Sequence, residues 1–365
     1  MRVLIAPDSF KGSLGATAVA AALAQGWLTV RPGDQVARLP LADGGEGTLD
    51  VLAATVPGAR WHRARVTGPG GVPVTSRWLE LPGRTCVTEL ARASGLPLLA
   101  RPDPMGAQTS GLGEVLSRAL DAGAARILAG LGGSASTDGG TGALAALGAR
   151  FLDAAGDPLP PGGGALAALH RADLSRLRPP PAGGVTCLTD VTAPLLGPRG
   201  AAAVFGPQKG AGRAQIARLE AGLARLAEVL GGDPAAPGAG AAGGTGYGLA
   251  AAWGAVLAPG AAELSRLAGL HRALAGADLV ITGEGRFDAT SLTGKTCGTV
   301  IAAAAAAGIP VALVAGQISG TAPGTARAVT LAALAGGTAA AQATPRRWLR
   351  QAARRLAQDA TAGLA

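Results

Sequence analysis

The sequence predicts an α/β protein in which a doubly wound parallel sheet, built from both ends of the chain, carries a second, inserted α/β domain. Three observations lead to this prediction: the length of 365 residues, strand–loop–helix units at both ends, and closely spaced strands between them. Hydrophobic cores stop growing well below this length, so two domains are expected. Aromatic residues make up only 3% of the chain, so packed aliphatic side chains must form the cores.

Two strand–loop–helix units open the chain. Residues 2–6 form an apolar strand that ends in a polar loop, and a helix is expected over 14–28. A second strand at 36–39 runs into a glycine-rich loop at 42–47, which a helix over 48–54 follows. Repeated units of this kind form parallel sheets with right-handed crossovers.

The same unit returns near the other end of the chain. A buried strand is expected at 278–282, then a polar loop and an alanine-rich helix over 295–307. Two further strands are expected at 311–315 and 328–334. The five strands together predict one flavodoxin-like or Rossmann-like sheet.

The middle of the chain has another pattern. Strand-like runs at 60–67, 72–81 and 85–91 are separated by glycine and proline turns, which favours antiparallel pairing. Further buried strands are expected at 126–129 and 185–188. The middle is therefore predicted to be a mixed α/β domain.

This change of pattern sets the predicted domain boundaries. We place the doubly wound domain at residues 1–62 plus 265–365, and the inserted domain with its glycine-rich loops at 63–264. The tract 231–246 consists almost wholly of Gly, Ala and Pro and is expected to be a loop or a hinge.

Composition and residue spacing indicate which classes of protein this chain can belong to. The net charge is +9, but the arginines are spread singly without stacking aromatic residues, which favours a small anionic substrate over nucleic acid. The basic cluster at 346–355 has helical spacing and is expected to be the solvated face of a last helix. Neither a secretory leader nor a membrane span is evident, so a cytoplasmic protein is expected. The cysteines and histidines lack the spacing of a disulfide framework, a zinc site or a hydrolase triad.

Lysine is rare in this chain. Of the 32 basic residues only Lys11, Lys209 and Lys295 are lysine, and each lies beside a glycine. In an arginine-biased chain, a compact ammonium on a flexible stem indicates contact with phosphate. Because glycine is common here, three unremarkable surface lysines are the alternative.

The loop Gly130–Gly140 follows a predicted strand and precedes a predicted helix, so its N–H groups could cradle a phosphate. It also matches GxGxxA, but the acidic residue of a nicotinamide site is not evident about 20 residues further on. The segment 293–296 resembles the end of a Walker A loop but lacks the first glycine of that motif.

Carboxylates occur in the same loops. They are Asp8, Asp43, Glu46, Asp138, Asp190, Glu284 and Asp288. Phosphoryl transfer needs carboxylates that hold Mg²⁺ and one near the attacking hydroxyl. Asp43 and Asp138 could instead be helix caps.

Six motifs, taken as an ordered set, resemble those of the type I glycerate kinase family. They are Ala6–Ser13, Ala42–Thr48, Gly130–Gly140, Asp190–Thr192, Val204–Ala211 and Ile281–Arg286. The resemblance implies transfer of the γ-phosphoryl group of ATP to D-glycerate, usually at the 2-hydroxyl, in a cytoplasmic enzyme of two α/β domains. Ala135-Ser136-Thr137 replaces a more usual Ala-Thr-Asn, and the chain after about 320 matches weakly, so no site residue is placed there.

Each candidate residue receives a predicted role on this basis. The catalytic candidates are Asp190, Asp43, Lys11 and Lys209; those for ATP phosphates are Gly132, Gly133, Ser134, Ser136 and Lys295; those for glycerate are Asp8, Ser9, Arg286 and Glu284; those for Mg²⁺ are Glu46 and Asp138. Asp190 or Asp43 would orient the substrate hydroxyl, and Arg286 would meet the glycerate carboxylate.

Two alternatives stay open at this point. One is a nicotinamide-dependent hydroxyacid oxidoreductase that uses the GxGxxA loop, and the other is a sugar-acid-binding regulator whose last helix contacts DNA. The favoured partners are glycerate and MgATP, without nucleic acid or membrane, in a monomer or a homodimer. The sequence leaves open whether the product is 2- or 3-phosphoglycerate, and whether 231–246 is a mobile lid.

Overall fold

Strands and helices alternate along most of the chain. In the computed structural model, which describes residues 1–362, the strands are β1 (Arg2–Ile5), β2 (Gln35–Arg38), β3 (Arg60–Thr67), β4 (Pro73–Leu81), β5 (Thr85–Glu89), β6 (Arg126–Gly130), β7 (Arg150–Leu152), β8 (Arg171–Asp173), β9 (Val185–Leu188), β10 (Val256–Ala258), β11 (Leu279–Phe287), β12 (Val311–Ile318) and β13 (Arg327–Thr330). The α-helices of the same residues are α1 (Ala16–Val30), α2 (Thr48–Thr55), α3 (Ala91–Ser94), α4 (Ser110–Asp121), α5 (Thr141–Ala146), α6 (Ala201–Phe205), α7 (Arg213–Leu230), α8 (Ala241–Trp253), α9 (Gly260–Leu267), α10 (Leu270–Leu274), α11 (Thr296–Ala306), α12 (Leu331–Ala335), α13 (Thr338–Ala343) and α14 (Pro345–Ala362). Within these 362 residues, no helix combines the length and the apolar character needed to cross a bilayer.

The chain forms two compact units. The first unit consists of Met1–Asp43, Asp50–Pro57 and the residues from Pro259 onward, and the second consists of Gly44–Leu49 and Gly58–Ala258. The exact domain boundaries proposed from the sequence, at 62/63 and 264/265, stay a prediction.

The first unit contains a five-stranded sheet in the order β13-β12-β11-β1-β2, in which every pair of neighbours is parallel. The chain adds β2 on one side of β1, whereas β11, β12 and β13 extend the sheet on the other side. The order therefore reverses between β1 and β11, which is the mark of a doubly wound sheet. The predicted fold class is confirmed.

Helices cover both faces of this sheet, which explains the unbroken apolar runs of its strands. Val3 and Ile5 belong to a buried cluster with residues of α1 and α14, whereas Leu4, between them, belongs to a cluster with residues of α11. Side chains alternate between the two faces of a strand, so β1 contributes to two cores at once.

The last helix packs closely on α1. A side chain at Gly26 would place its Cβ 2.2 Å from the carbonyl oxygen of Arg350, so only glycine permits this approach of the two backbones. The arginines of α14 are exposed, as the helical spacing predicts: Arg346, Arg347, Arg350, Arg354 and Arg355.

Two predictions for the first unit were wrong in extent. The strand expected at 328–334 ends at Thr330, and Leu331–Ala335 is helical, because leucine and alanine favour a helix and Thr330 Oγ1 accepts the N–H of Ala333. The strand expected to end at 282 continues to Phe287, because residues 283–287 pair with β12. Glu284 and Arg286 therefore lie on a strand and not in a loop.

The second unit contains a mixed six-stranded sheet in the order β10-β9-β6-β5-β4-β3. The pairs β3–β4 and β4–β5 are antiparallel, whereas the pairs β5–β6, β6–β9 and β9–β10 are parallel. The antiparallel pairing predicted at the start of the middle segment is thus confirmed.

Part of the tract 231–246, predicted to be a loop or hinge, is buried. Although α8 is assigned from Ala241, the backbone of Ala242, Gly243 and Gly244 is not helical, and Gly243, Gly244 and Thr245 are buried. Gly243 has φ +66°, and a Cβ there would lie 2.1 Å from the carbonyl oxygen of Ser136. The glycines therefore serve close backbone packing in a core, which low complexity alone does not reveal.

Candidate functional site

A cavity of about 340 Å³ lies at the carboxyl ends of β1, β11 and β12 in the first unit. The reversal of strand order between β1 and β11 lies at the same edge, which is where open α/β sheets bind ligands. Seven predicted site residues, drawn from separate motifs, line this cavity: Asp8, Ser9, Lys11, Asp43, Glu284, Arg286 and Lys295.

The backbone holds Asp8 firmly at this edge. Its N–H donates to the carbonyl of Gly283 (2.8 Å), and the N–H of Leu41 donates to the carbonyl of Pro7 (2.9 Å). The segment after β1 thus stays bonded to both neighbouring chain segments, and Asp8 is only 7% exposed. A buried carboxylate is placed against the cavity by the sheet itself.

Asp43 is the second buried carboxylate of the cavity, with 6% exposure. Its Oδ2 lies 3.5 Å from Nζ of Lys11, whose side chain is largely exposed. Burial and the negative charge of Asp43 together raise the pKa of Asp8 to about 7, although Lys11 lowers it in part. One of the two carboxylates therefore titrates near neutral pH.

Glu284 is the third carboxylate, and burial raises its pKa as well. It lies on β11 next to Gly283, where a Cβ would come within 2.0 Å of the carbonyl of Val314. A Cβ at Gly316 would likewise come within 2.3 Å of the carbonyl of Gly285. These glycines let β11 and β12 approach closely at the cavity.

Three basic side chains line the same cavity as the carboxylates. Lys11 pairs with Asp43, Arg286 places Nε 3.8 Å from Oδ2 of Asp288, and Lys295 donates from Nζ to Oγ1 of Thr290 (3.0 Å). Lys295 is the N-cap residue of α11. In residues 1–362, no group of three or more His, Cys, Asp or Glu side chains is arranged to hold a metal ion by itself.

Part of the cavity wall was missed by the sequence analysis, which placed no site residue after about 320. The wall includes Leu331, Thr338, Ala341, Gln342 and Pro345. Nothing in the local sequence marks these residues, because small apolar and polar side chains on helices are common everywhere.

The Gly130–Gly140 loop lies in the second unit, at the carboxyl end of β6. A Cβ at Gly130 would come within 2.3 Å of the carbonyl of Gly44, and a Cβ at Gly132 within 2.9 Å of Cα of Gly45. Gly44, with φ +96°, in turn lies against Leu188 at the end of β9. The motif at 42–48 is thus packed, from Gly44 onward, against the ends of β6 and β9, and half-exposed Asp190 follows β9.

Successive backbone donors of this loop are unused. Among residues 1–362, the N–H groups of Gly132, Gly133 and Ser134 donate no hydrogen bond, and Gly133 is exposed with φ +74°. Consecutive free N–H groups that include a left-handed residue form a concave anion site. The predicted phosphate candidate Ser136, by contrast, is fully buried.

The buried side chain of Lys209 donates hydrogen bonds to the Gly130–Gly140 loop. It is 1% exposed, and its Nζ donates to Oγ of Ser134 (2.9 Å) and to the carbonyl of Ser136. Burial lowers the pKa of Lys209 to about 8, although the negative charge of Asp138 raises it in part. These contacts describe an anchor for the loop, whereas the sequence predicted a lysine that neutralises phosphate.

Asp138 has the contacts of a helix cap. Its Oδ2 accepts from N (2.9 Å) and Oγ1 (2.7 Å) of Thr109 and from N of Gly142 (3.3 Å), and Oδ1 accepts from N of Gly140 (3.2 Å). The side chain is 0% exposed. Of the two roles left open by the sequence, capping accounts for these contacts, and the role of a magnesium ligand stays a prediction.

Known proteins resemble this chain over nearly its whole length. The model of the glycerate kinase family matches residues 3–361. The glycerate 2-kinase of Escherichia coli (strain K12) is 43% identical over 306 residues, which cover 81% of this chain and 80% of the relative. A glycerate kinase of Bacillus subtilis (strain 168) is 44% identical over 331 residues, or 87% of this chain and 86% of the relative.

A solved structure agrees with these relatives. The crystal structure of a protein from Salmonella typhimurium LT2, assigned as glycerate kinase 2, superposes with a TM-score of 0.85 at 40% identity and covers 100% of this chain and 99% of that one. Both the sequence matches and the shared fold extend over both units, and the chain belongs to the glycerate kinase family.

Proposed function

We propose that this protein is an ATP-dependent glycerate kinase that phosphorylates D-glycerate at the 2-hydroxyl. The observation that carries the proposal is the single cavity in which seven predicted residues from separate motifs meet. Its four carboxylates (Asp8, Asp43, Glu284 and Asp288) and three basic groups suit a small hydroxy acid that carries both a negative charge and hydroxyl protons. The comparisons lend no support to the oxidoreductase or the DNA-binding regulator.

The first unit provides the proposed glycerate site. Arg286 and Lys295 pair with the substrate carboxylate, since a guanidinium matches a carboxylate in a bidentate geometry. Asp8, Asp43 and Glu284 accept hydrogen bonds from the hydroxyl groups, and Ser9 contributes a further polar contact. Lys11 neutralises negative charge that gathers as the phosphoryl group is transferred.

The second unit provides the proposed phosphate site for ATP. The free N–H groups of Gly132 and Gly133 bind phosphate oxygens, and Lys209 positions the loop through Ser134 without touching the nucleotide. Mg²⁺ is commonly bound by one or two carboxylates together with substrate phosphates and water, so exposed Glu46 fits a ligand of the ion. Mg²⁺ would supply charge neutralisation at the phosphates. Asp190 stays a proposed catalytic group near this loop.

The test is a coupled assay of the purified protein with MgATP and D-glycerate, in which NMR identifies the product. We expect ADP release and 2-phosphoglycerate. A 3-phosphoglycerate product would retain the kinase and overturn the regiochemistry, and absence of ADP release from folded protein would overturn the function. Cytoplasmic location and a monomeric or homodimeric state stay predictions.

Two arginine variants test the glycerate site. Arg286→Ala should raise KM for glycerate at least tenfold and leave KM for MgATP within about twofold, because a charge-assisted contact is worth about 1.5–3 kcal/mol. Arg346→Ala, on exposed α14, is the matched control and should leave both constants unchanged. Equal effects of the two variants would contradict the assignment of Arg286.

A further inference from the structure

We propose that Asp8 is the catalytic residue that takes the proton from the attacking hydroxyl of glycerate, and that Asp43 and Lys11 set its charge state. The sequence had assigned this task to Asp190 or Asp43. The inference rests on the proposed function, since it concerns the acceptor hydroxyl of that reaction.

The geometry separates the two buried carboxylates of the cavity. The ammonium of Lys11 lies 3.5 Å from Oδ2 of Asp43, so Asp43 is the member of the pair that forms an ion pair with this lysine. Asp8 accepts the N–H of Ser9 through Oδ1 and lines the same cavity. In a poorly solvated site, burial and the negative charge of Asp43 both disfavour the ionised form of Asp8, so Asp8 holds its proton more tightly than an ordinary carboxyl.

The remaining charged groups at the cavity are few. Glu284 and Asp288 are negative, Arg286 and Lys295 are positive, and all four line the cavity wall, while the thiol of Cys297 is buried nearby. Burial, the charge of Asp43 and the opposing charge of Lys11 leave the pKa of Asp8 at about 7. A general base works best with a pKa near the working pH, which Asp8 therefore satisfies.

The proton transfer to Asp8 accompanies the phosphoryl transfer. The 2-hydroxyl oxygen of glycerate forms a bond to the γ-phosphorus of ATP, and its proton passes to a carboxylate oxygen of Asp8. The bond between the γ-phosphorus and the bridging oxygen breaks, and ADP leaves with that electron pair. Asp8 returns the proton to solvent before the next turnover.

The test is a set of pH profiles of kcat/KM for glycerate. The acid limb of such a profile reports the pKa of the group that must be deprotonated for activity, which is Asp8 in this proposal. In the wild-type protein, activity should fall as the pH decreases through about 7, where Asp8 takes up its proton. Asp43→Asn removes the negative neighbour, so its acid limb should move to lower pH. Lys11→Met removes the positive neighbour, so its acid limb should move to higher pH.

Direct replacement and a control complete the test. Asp8→Asn should lower kcat by about 10²–10⁴-fold while KM for glycerate changes only a few-fold, which is the size of general-base effects. Asp359→Asn, on α14, is the control variant and should keep the wild-type profile. The thermal unfolding midpoint of each variant shows whether it is folded.

The outcomes distinguish the two proposals. If folded wild-type protein releases no ADP with glycerate at any pH, the proposed function fails and the role of Asp8 with it. If the wild type is active but Asp8→Asn retains kcat within threefold, only the role of Asp8 is overturned. If Asp8→Asn does not fold, the Asp43→Asn and Lys11→Met profiles test the role of Asp8 instead. Opposite shifts of their acid limbs would support that role, whereas shifts in the same direction, or no shifts, would refute it.

Discussion

Gly243 and Gly254 allow a matched test of how tightly α8 packs on the Gly130–Gly140 loop. Both glycines have φ +66°, so replacement by alanine places each in the same left-handed conformation. This strain amounts to about 1–2 kcal/mol for a residue with a Cβ. The two sites differ in their surroundings, so the difference between the variants measures packing alone.

The surroundings predict the size of the difference. A Cβ at Gly254 meets nothing within 4 Å, whereas at Gly243 it would lie 2.1 Å from the carbonyl oxygen of Ser136 and 2.6 Å from Cα of Thr137. Both obstacles are backbone atoms, which cannot rotate away as a side chain does. Overpacking of a core costs about 1–3 kcal/mol, and occasionally more, so Gly243→Ala should lose at least about 2 kcal/mol beyond Gly254→Ala.

The assay is urea unfolding of both variants, with the free energy of unfolding taken from the midpoint and the slope. Because Ser136 and Thr137 belong to the proposed phosphate loop, Gly243→Ala should also raise KM for MgATP, whereas Gly254→Ala should not. Equal losses of stability in the two variants, with KM unchanged, would refute the close packing of α8 on the loop.

Three further predictions concern polar groups that are buried or partly buried. Lys209→Met should raise KM for MgATP about tenfold and leave KM for glycerate unchanged, since the lysine anchors only the loop; a change in both constants would contradict this role. Asp34 is partly buried, which works to raise its pKa, but hydrogen bonds from Arg31, Trp27 and the N-terminal amine hold the pKa at about 2. Asp34→Asn should therefore lower the free energy of unfolding by about 2 kcal/mol at pH 7. This difference from wild type should shrink as the pH falls from about 4 to 2, which unfolding measured at a series of acid pH values would show. Glu89→Ala removes the acceptor of the Leu49 N–H (2.7 Å) and should lower the free energy of unfolding by about 1–3 kcal/mol. Glu89→Gln keeps an acceptor and should lower it by less than about 1 kcal/mol, and thermal or urea unfolding measures both.

Local sequence patterns were enough to predict much of the fold. The apolar run at 2–6 and the alternating units on both sides of the chain predict parallel strands, and the turns between 60 and 91 predict antiparallel ones, because hydrophobic periodicity and turn chemistry act over a few residues. The patterns were not enough where tertiary contacts decide. The strand β11 continues through Gly283 and Gly285 because β12 pairs with it, and the glycine-rich start of α8 is buried because a backbone fits against it.

The candidate site divides in the same way. The sequence alone determined which side chains carry charge at the ends of strands, and it therefore named Asp8, Asp43, Glu284 and the three lysines as candidates. Only the tertiary structure decided that Lys209 and Asp138 face inward to hold a loop, while Asp8 and Asp43 share one cavity. The physical reason is that residue type fixes the chemistry a group can perform, whereas burial and neighbouring charges, which set its protonation and its access to a ligand, arise from contacts between distant parts of the chain.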